Sequence, residues 1–477
     1  MRSEPLDNLV TIVLAAGKGT RMNSSVPKVL HNLRGRPLIH HVLASANSLG
    51  SSRVIVVAGY GAHQVRAALP AGPGVQAPEV VLQEPQLGTG HAVAQCLASL
   101  APVQGTVLVL SGDVPLLKVE TLRSLAAVRK DAGASVSVLT GHFDDPTGYG
   151  RMVRGDHGEV LGIVEQRDLS PGQEKITEVN LGVYAFDAGF LKREIPRLDN
   201  DNAQGEYYLT DLIGAAVRSG SGAVTLVTDE PGEARGINTL KELTVMEKQM
   251  NRNHVARLLD SGVRIVDPES TWIDETVEIE PDAEIRPSTF LHGDTRIGAR
   301  SVIGPGAVIT DTVIGADVEV RPFCVITGSR IGDGAAIGPF AHMRAGSVIG
   351  RSARIGNYVE TKKVVIGDGS KVSHLTYVGD ADLGRDVNIG AGCVTCNYDG
   401  FAKHKTTIED GVFVGSGVMM VAPVRLGRGS LVAAGSTITR DVPPDALALG
   451  RAQQSVKEGW AEERRRKLSG AEKEKKS

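Results

Sequence analysis

Aromatic residues are scarce in this sequence: Phe, Trp and Tyr make up 4% of its 477 residues. A globular core usually draws much of its buried area from such rings. Their scarcity beside 57 Gly points to a repetitive, glycine-cornered architecture over part of the chain. Cysteine is scarce too. Cys96, Cys324, Cys393 and Cys396 are too few for a disulfide framework. Cys393-Val-Thr-Cys396 has CxxC spacing, but a zinc site needs a second ligand pair, and none of suitable spacing lies nearby. The two read as small thiols. No stretch approaches the roughly 20 apolar residues of a membrane span, and the first residues show no apolar segment with a basic flank. The formal charge of −3 supplies no cationic excess for nucleic acid. These absences predict a soluble cytoplasmic protein with neither nucleic acid nor membrane as partner.

What is present falls into two parts with different periods. The first alternates short apolar runs ("LVTIVLAAG", "RVIVVAGY", "GTVLVLSGD") with segments of helical spacing such as "PLIHHVLASANSLG". That alternation predicts an α/β, doubly wound, Rossmann-like parallel sheet. Ligands of such sheets sit at the carboxyl ends of the strands, where both Gly17 and Asp113 fall. "LKELTVMEKQMNRNHVARLL" reads as one amphipathic connecting helix.

After Gly262 apolar residues recur every six positions: Ile297, Ile303, Ile309; Ile314, Val320, Ile326; Ile331, Ile337, Met343; and onward to Leu426, Val432, Ile438. This is the hexapeptide signature of a parallel β-helix, three short strands per coil. The period says nothing of handedness. Successive triplets begin 17 or 18 residues apart, except for a gap of 25 from Leu383 to Ile408. The extra residues lie in or near "CNYDGFAKHK", an expected outward loop. The tail from Gln453 is charged and reads as a helix fraying into disorder, with Trp460 its one aromatic residue. The expected boundaries are 1–240, a linker helix 241–261, the β-helix 262–452 and the tail 453–477.

"LAAGKGTRMNSSVPKVL" (14–30) follows a strand and is rich in glycine, yet Gly19 stands where a Walker A loop has Ser or Thr, and Met22 where a Rossmann fingerprint has its third Gly. Backbone amides in such a loop approach an anion closely, and Arg21 and Lys28 supply counter-charge to a polyphosphate. Asp113, alone at a strand's carboxyl end, suits Mg2+, which takes one or two carboxylates plus phosphate and water. In the second part, inward-pointing corner residues force their neighbours outward. Arg344 follows Met343 and Lys362 follows Thr361, so two cations stack about 5 Å apart; an anion between them would relieve the repulsion. His342, Glu360 and Tyr377 form a polar strip before the same corner, and His374 lies two after Val372.

The motifs "LAAGKGTRM", "PKVL", "QLGTGHA", "GDVPLL", "PTGYGR", "IVEQRD", "EVNLGVY", "GEYYLTD" and "GIN", in this order, resemble those of the sugar-1-phosphate nucleotidylyltransferases. With the hexapeptide part, nearly the whole chain is similar to the bacterial bifunctional enzymes of UDP-N-acetylglucosamine synthesis, which join a uridylyltransferase to a glucosamine-1-phosphate N-acetyltransferase. The resemblance implies a left-handed β-helix, a homotrimer, and UTP, acetyl-CoA, glucosamine-1-phosphate and N-acetylglucosamine-1-phosphate as small-molecule partners. It implies that Leu14, Ala15, Ala16 and Gly17 line the nucleotide, that Arg21 and Lys28 hold the triphosphate, and that Gln83, Gly88 and Thr89 read the uracil. Ser111 and Gly112 precede Asp113, which with Asn238 is expected to hold Mg2+. Gly150, Glu165 and Asn180 would take the N-acetylglucosamine moiety. In the acetyltransferase part, His374 would be the general base; Arg344, Lys362, Tyr377 and Asn388 would bind glucosamine-1-phosphate; Ala391, Asn397, Tyr398, Ser416, Ala434 and Arg451 would contact acetyl-CoA. One alternative keeps only the nucleotidylyltransferase, the β-helix serving oligomerisation or regulation. Another is a non-enzymatic scaffold built on a decayed enzyme. His374 with Arg344 and Lys362 argues against the first, and Asp113, Asn238 and His374 together argue against the second.

Overall fold

A computed structural model describes residues 8–70 and 77–474. The chain divides into two compact units, 1–250 and 251–477.

The first unit is built on a sheet whose strands run, in spatial order, Ala223–Val227, Val136–His142, Glu178–Asp187, Thr106–Ser111, Val10–Ala15, Arg53–Ala58 and Glu79–Leu82. The alternation along Val10–Ala15 explains the layering. Val10 and Ile12 join Ile55, Val107 and Phe190 on one face, while Val13 and Ala15 join Val56, Leu110 and Leu122 on the other. Helices Leu38–Ser48 and Val119–Asp131 cover the second face, and Ala188–Glu194 and Asp211–Arg218 the first. The sheet, nine strands in all, departs from the all-parallel expectation at Glu178–Asp187 and at the antiparallel hairpin paired beside it. Glu178–Asp187 runs antiparallel to each of its neighbours. It follows a hairpin of Arg151–Arg154 and Val160–Val164, which reverses the chain. Its residues are buried on both faces, so its apolar run carries no mark of direction.

Helix Leu240–Asp260 is a single element, as its spacing predicts. Met246 and Met250 pack with Met22, Leu33 and Leu38 of the first unit. Val255 and Leu258 belong to the apolar core of the second.

The second unit is a parallel β-helix, and the six-residue period is realised residue by residue. Ile303 pairs with Val320, Val320 with Ile337, Ile337 with Ile355 and Ile355 with Val372. These side chains form one continuous buried stack. Backbone amides donate to the coil above, as from Val302 N to Val318 O at 2.8 Å. The 25-residue gap is spanned without loss of register: Leu383 pairs directly with Ile408, and the surplus becomes a small hairpin closed by a Tyr398–Lys403 bridge. Cys393 is buried, and its thiol donates to Gly415 O at 3.1 Å. No cluster of three metal-ligating side chains occurs among the described residues. No helix among them is long and apolar enough to cross a membrane. The tail forms helix Trp460–Glu474; fraying beyond it would lie outside the described residues.

Candidate active sites

In the first unit the strand Val10–Ala15 delivers Leu14, Ala15, Ala16 and Gly17 to the sheet's carboxyl edge. A side chain added at Gly17 would meet nothing within 4 Å, so its backbone is open to a ligand. Gly19 adopts φ 61°, and a Cβ there would lie 2.7 Å from Lys28 Cβ. The loop therefore folds down on Lys28. Met22 anchors the following turn in the core, leaving Arg21 exposed beside it.

Three segments distant in sequence converge here. Lys28 Nζ forms an ion pair with Asp113 and donates to Asn238 Oδ1 at 3.2 Å; Arg21 Nη2 reaches the same oxygen at 2.9 Å. Ser111 Oγ donates to Asp113 Oδ1 at 2.5 Å, and Gly112 N bonds Leu14 O at 2.9 Å. Asn238 is fixed by a capping box: Glu242 accepts from Asn238 N at 2.7 Å and Thr239 N at 3.1 Å, while Thr239 Oγ1 accepts from Glu242 N. One carboxylate and one carboxamide oxygen thus already embrace a cationic nitrogen. That all-oxygen donor set fits Mg2+.

A cavity of about 270 Å3 adjoins this cluster, lined by residues 14–17, Lys28, Gln83, Gly88, Thr89, Ser111 and Asp113. Gln83 is buried, with Nε2 donating to Gly88 O at 2.9 Å. Beyond it, Gly150 O accepts from Asn180 N at 2.9 Å. Asn180 is braced by Tyr184 Oη at 2.7 Å and by Gly182 N at 2.9 Å. A Cβ on Gly150 would sit 3.3 Å from Glu165 Oε2. The structure therefore brings Gly150, Glu165 and Asn180 together. Burial pushes the Glu165 carboxyl above its ordinary range.

In the second unit the β-helix sets out a column. Asn357, His374, Ala391, Ser416 and Ala434 each stand two residues after an inward residue of successive coils, Ile355, Val372, Ile389, Val414 and Val432. Backbone bonds tie the column together, Gly392 N to His374 O at 3.2 Å, Gly417 N to Ala391 O at 2.7 Å and Gly435 N to Ser416 O at 2.8 Å. Arg451 continues it, its Cδ 4.0 Å from where a Gly435 Cβ would be. The exposed His374 ring bonds through Nδ1 to Asn357 Oδ1. An amide oxygen only accepts, so Nδ1 carries the proton of a neutral ring and Nε2 keeps the lone pair. Asn388 lies in the next coil of the same sheet, beside Lys371.

Around the corner, His342, Glu360 and Tyr377 are in register, as predicted. Met343 pairs with Thr361, which stacks Arg344 over Lys362. Arg344 Nη1 bonds Glu360 at 3.1 Å. Lys362 faces Lys403 as well as Arg344, and these neighbours hold its ammonium below the usual lysine range. Asn397 Nδ2 bonds Asp380 at 2.5 Å and Tyr377 Oη at 3.4 Å, while Tyr398 is exposed on the hairpin.

Two residues escape the sequence reading. Asn357 shares the offset of His374 and was within reach of the register argument. Lys403 sits in the inserted hairpin, where the period gives no register. Asp399 fixes that hairpin by accepting from Phe401 N, Ala402 N and His404 Nε2.

Residues 11–175 match the model of the MobA-like NTP transferase domain. Residues 273–359 match that of the GMPPB C-terminal domain, and residues 405–440 that of the bacterial transferase hexapeptide with six repeats. The β-helix is accordingly the left-handed hexapeptide type. The bifunctional protein GlmU of Trichlorobacter lovleyi is 47% identical over 454 residues, covering 95% of this chain and 98% of that one. Its counterpart in Syntrophotalea carbinolica is 49% identical over 454 residues, with 95% and 97% covered. That of Caldanaerobacter subterraneus is 46% identical over 462 residues, with 97% and 99% covered. At such identity over essentially the full length, the chain belongs to the family of the bifunctional GlmU proteins.

Proposed function

We propose that the second unit transfers an acetyl group from acetyl-CoA to the amine of glucosamine-1-phosphate, and that the first then transfers uridylyl from UTP to the N-acetylglucosamine-1-phosphate so formed, releasing pyrophosphate. The observation that carries this reading is the presence on one chain of two separate constellations, Lys28–Asp113–Asn238 and Asn357–His374.

In the acetyl transfer, His374 Nε2 accepts a proton from the amine as its nitrogen attacks the thioester carbonyl, and CoA departs as thiolate. Asn357 holds the ring in the tautomer that makes Nε2 basic. Arg344, Lys362 and Lys403 bind the sugar phosphate, with Tyr377 and Asn388 at its edge. Ala391, Ser416, Ala434 and Arg451 lie along the corner where the extended acetyl-CoA would run, with Asn397 and Tyr398 on the hairpin beside it. Ser416 is placed to donate to the leaving sulfur.

In the uridylyl transfer, a phosphate oxygen of the sugar attacks the α-phosphorus of UTP, and the bond to the bridging oxygen of pyrophosphate breaks. Leu14, Ala15, Ala16 and Gly17 offer backbone to the nucleotide, and Gln83, Gly88 and Thr89 the uracil contacts. Arg21 and Lys28 neutralise the triphosphate. Gly150, Glu165 and Asn180 orient the sugar. Asp113 and Asn238 would hold Mg2+, which when bound neutralises charge developing on the phosphates. Lys28, freed from Asp113, would then turn to the phosphates. Positioning and charge neutralisation do the work, and no protein nucleophile is needed.

The prism of the β-helix offers flat faces for side-by-side association, and we propose a homotrimer in which the Asn397–Lys405 hairpin approaches a neighbouring copy. The test is to incubate the protein with glucosamine-1-phosphate, acetyl-CoA, UTP and Mg2+ and follow free CoA and pyrophosphate separately. Release of both supports the reading. Pyrophosphate from supplied N-acetylglucosamine-1-phosphate with no CoA at all would leave the β-helix as a scaffold.

A further inference from the structure

Glu165 is an unusual carboxylate. No cation lies within ion-pair distance of it among the described residues, and its surroundings are acidic: Asp211, Asp168 and Glu206 all face it. The buried Tyr184, on strand Glu178–Asp187, also feels its charge. Its side chain receives a single hydrogen bond among the described residues, from Thr210 Oγ1 to Oε1 at 3.0 Å. Thr210 is 4% exposed, so its hydroxyl is largely shielded from solvent. The second oxygen, Oε2, is the one beside Gly150.

Thr210 belongs to a tightly tied strap, residues 207–210. Tyr207 N bonds Leu87 O at 2.9 Å and Tyr207 O accepts from Gly90 N at 2.8 Å. Leu209 N bonds Thr89 Oγ1 at 3.2 Å. Tyr208 Oη donates to Asp168 Oδ2 at 3.2 Å. Gly88, at φ 101°, lets the chains close up, since a Cβ there would fall 2.7 Å from Tyr207 O. Adjacent residues of one strap therefore hold a residue of the uracil loop, Thr89, and the carboxylate of the sugar pocket, Glu165.

We propose that Thr210 is a positioning residue for the sugar-1-phosphate: its hydroxyl holds Glu165 Oε1 so that Oε2 points to the substrate, and the strap fixes that pose relative to the uracil loop. This rests on the uridylyl-transfer reading of the site. A carboxylate ringed by like charge turns toward solvent unless something holds it; one neutral donor from a rigid strap does so without consuming the charge that a substrate hydroxyl or amide N–H needs.

The test compares Thr210→Val, Thr210→Ser and wild type in full-length protein, following pyrophosphate release with UTP or N-acetylglucosamine-1-phosphate varied. For Thr210→Val the KM for the sugar phosphate is expected to rise about tenfold, the equivalent of one hydrogen bond to a charged group, with the KM for UTP unchanged. The hydroxyl bond lowers the Glu165 pKa, so its loss raises it, and the acid limb of the kcat/KM profile for the sugar moves to higher pH. Thr210→Ser restores both. An unchanged kcat and an unchanged KM for UTP in Thr210→Val show that the first unit, which carries the substitution, still folds. An unchanged sugar KM in Thr210→Val, or equal rises for both substrates that Thr210→Ser leaves unrelieved, overturns the proposal. Absence of pyrophosphate from wild type overturns the site reading itself and takes this inference with it.

Discussion

Asn357 and His374 stand in adjacent coils of the β-helix on the same ladder rung, and the carboxamide oxygen of one takes the ring Nδ1–H of the other. They are 17 residues apart in the chain, one full coil, so the solenoid itself brings them into bonding distance. The pair selects the histidine tautomer before any substrate arrives.

His374→Ala is therefore expected to abolish CoA release while leaving pyrophosphate release from supplied N-acetylglucosamine-1-phosphate intact. Asn357→Ala keeps the base but frees the ring. Losing one such bond, worth about 1 to 1.5 kcal/mol, predicts a fall in acetyl transfer of about tenfold. Both are read from CoA release at saturating acetyl-CoA.

Asp113→Ala is expected to do the reverse, stopping pyrophosphate release and sparing CoA release. Chelation of divalent cations in wild type should reproduce the same split, because the proposed Mg2+ site is the Asp113–Asn238 pair of the first unit. Titrating Mg2+ back restores pyrophosphate release in wild type but not in Asp113→Ala.

Lys403→Ala should raise the KM for glucosamine-1-phosphate several-fold at neutral pH, since one cation of the phosphate cluster is gone. The pH dependence moves the other way. Lys403 and Arg344 hold Lys362 below the usual lysine range, so in wild type binding weakens as pH rises through that lowered value. Removing Lys403 lets Lys362 keep its proton to higher pH, and the alkaline limb shifts upward. Sugar-phosphate KM against pH for the two proteins checks both signs.

Ile337→Ala is expected to destabilise the β-helix by about 2 to 5 kcal/mol. Ile337 is fully buried and stacks between Val320 and Ile355, where neighbours bound by their own ladder bonds collapse little into the cavity. Denaturant unfolding followed beside Ile337→Val, expected to cost about 1 kcal/mol, measures it.

The β-helix was legible because its period is a local property. An inward residue every sixth position fixes which neighbours face out, and the register Met343–Thr361 and Val372–Ile389 follows from counting. The place of the insertion at 397–405 was legible too, but not its internal pairing, because inserted residues break the count, and the position of Lys403 beside Lys362 was lost with it. In the first unit the strand positions were readable from apolar runs, but the reversed direction of Glu178–Asp187 was not. A strand buried on both faces looks the same in either sense.

By itself the sequence determined the two-part organisation, the inward stack of the β-helix and the residue types at each site, since these depend on spacing along the chain. Only the tertiary structure decided which groups share a bond across long stretches of chain: Lys28 between Asp113 and Asn238, Asn357 against His374, Thr210 on Glu165 and Lys403 beside Lys362. The physical reason is that hydrogen bonds and charge pairs act over a few ångströms, and which distant segments come that close is set by how strands cross over and loops close.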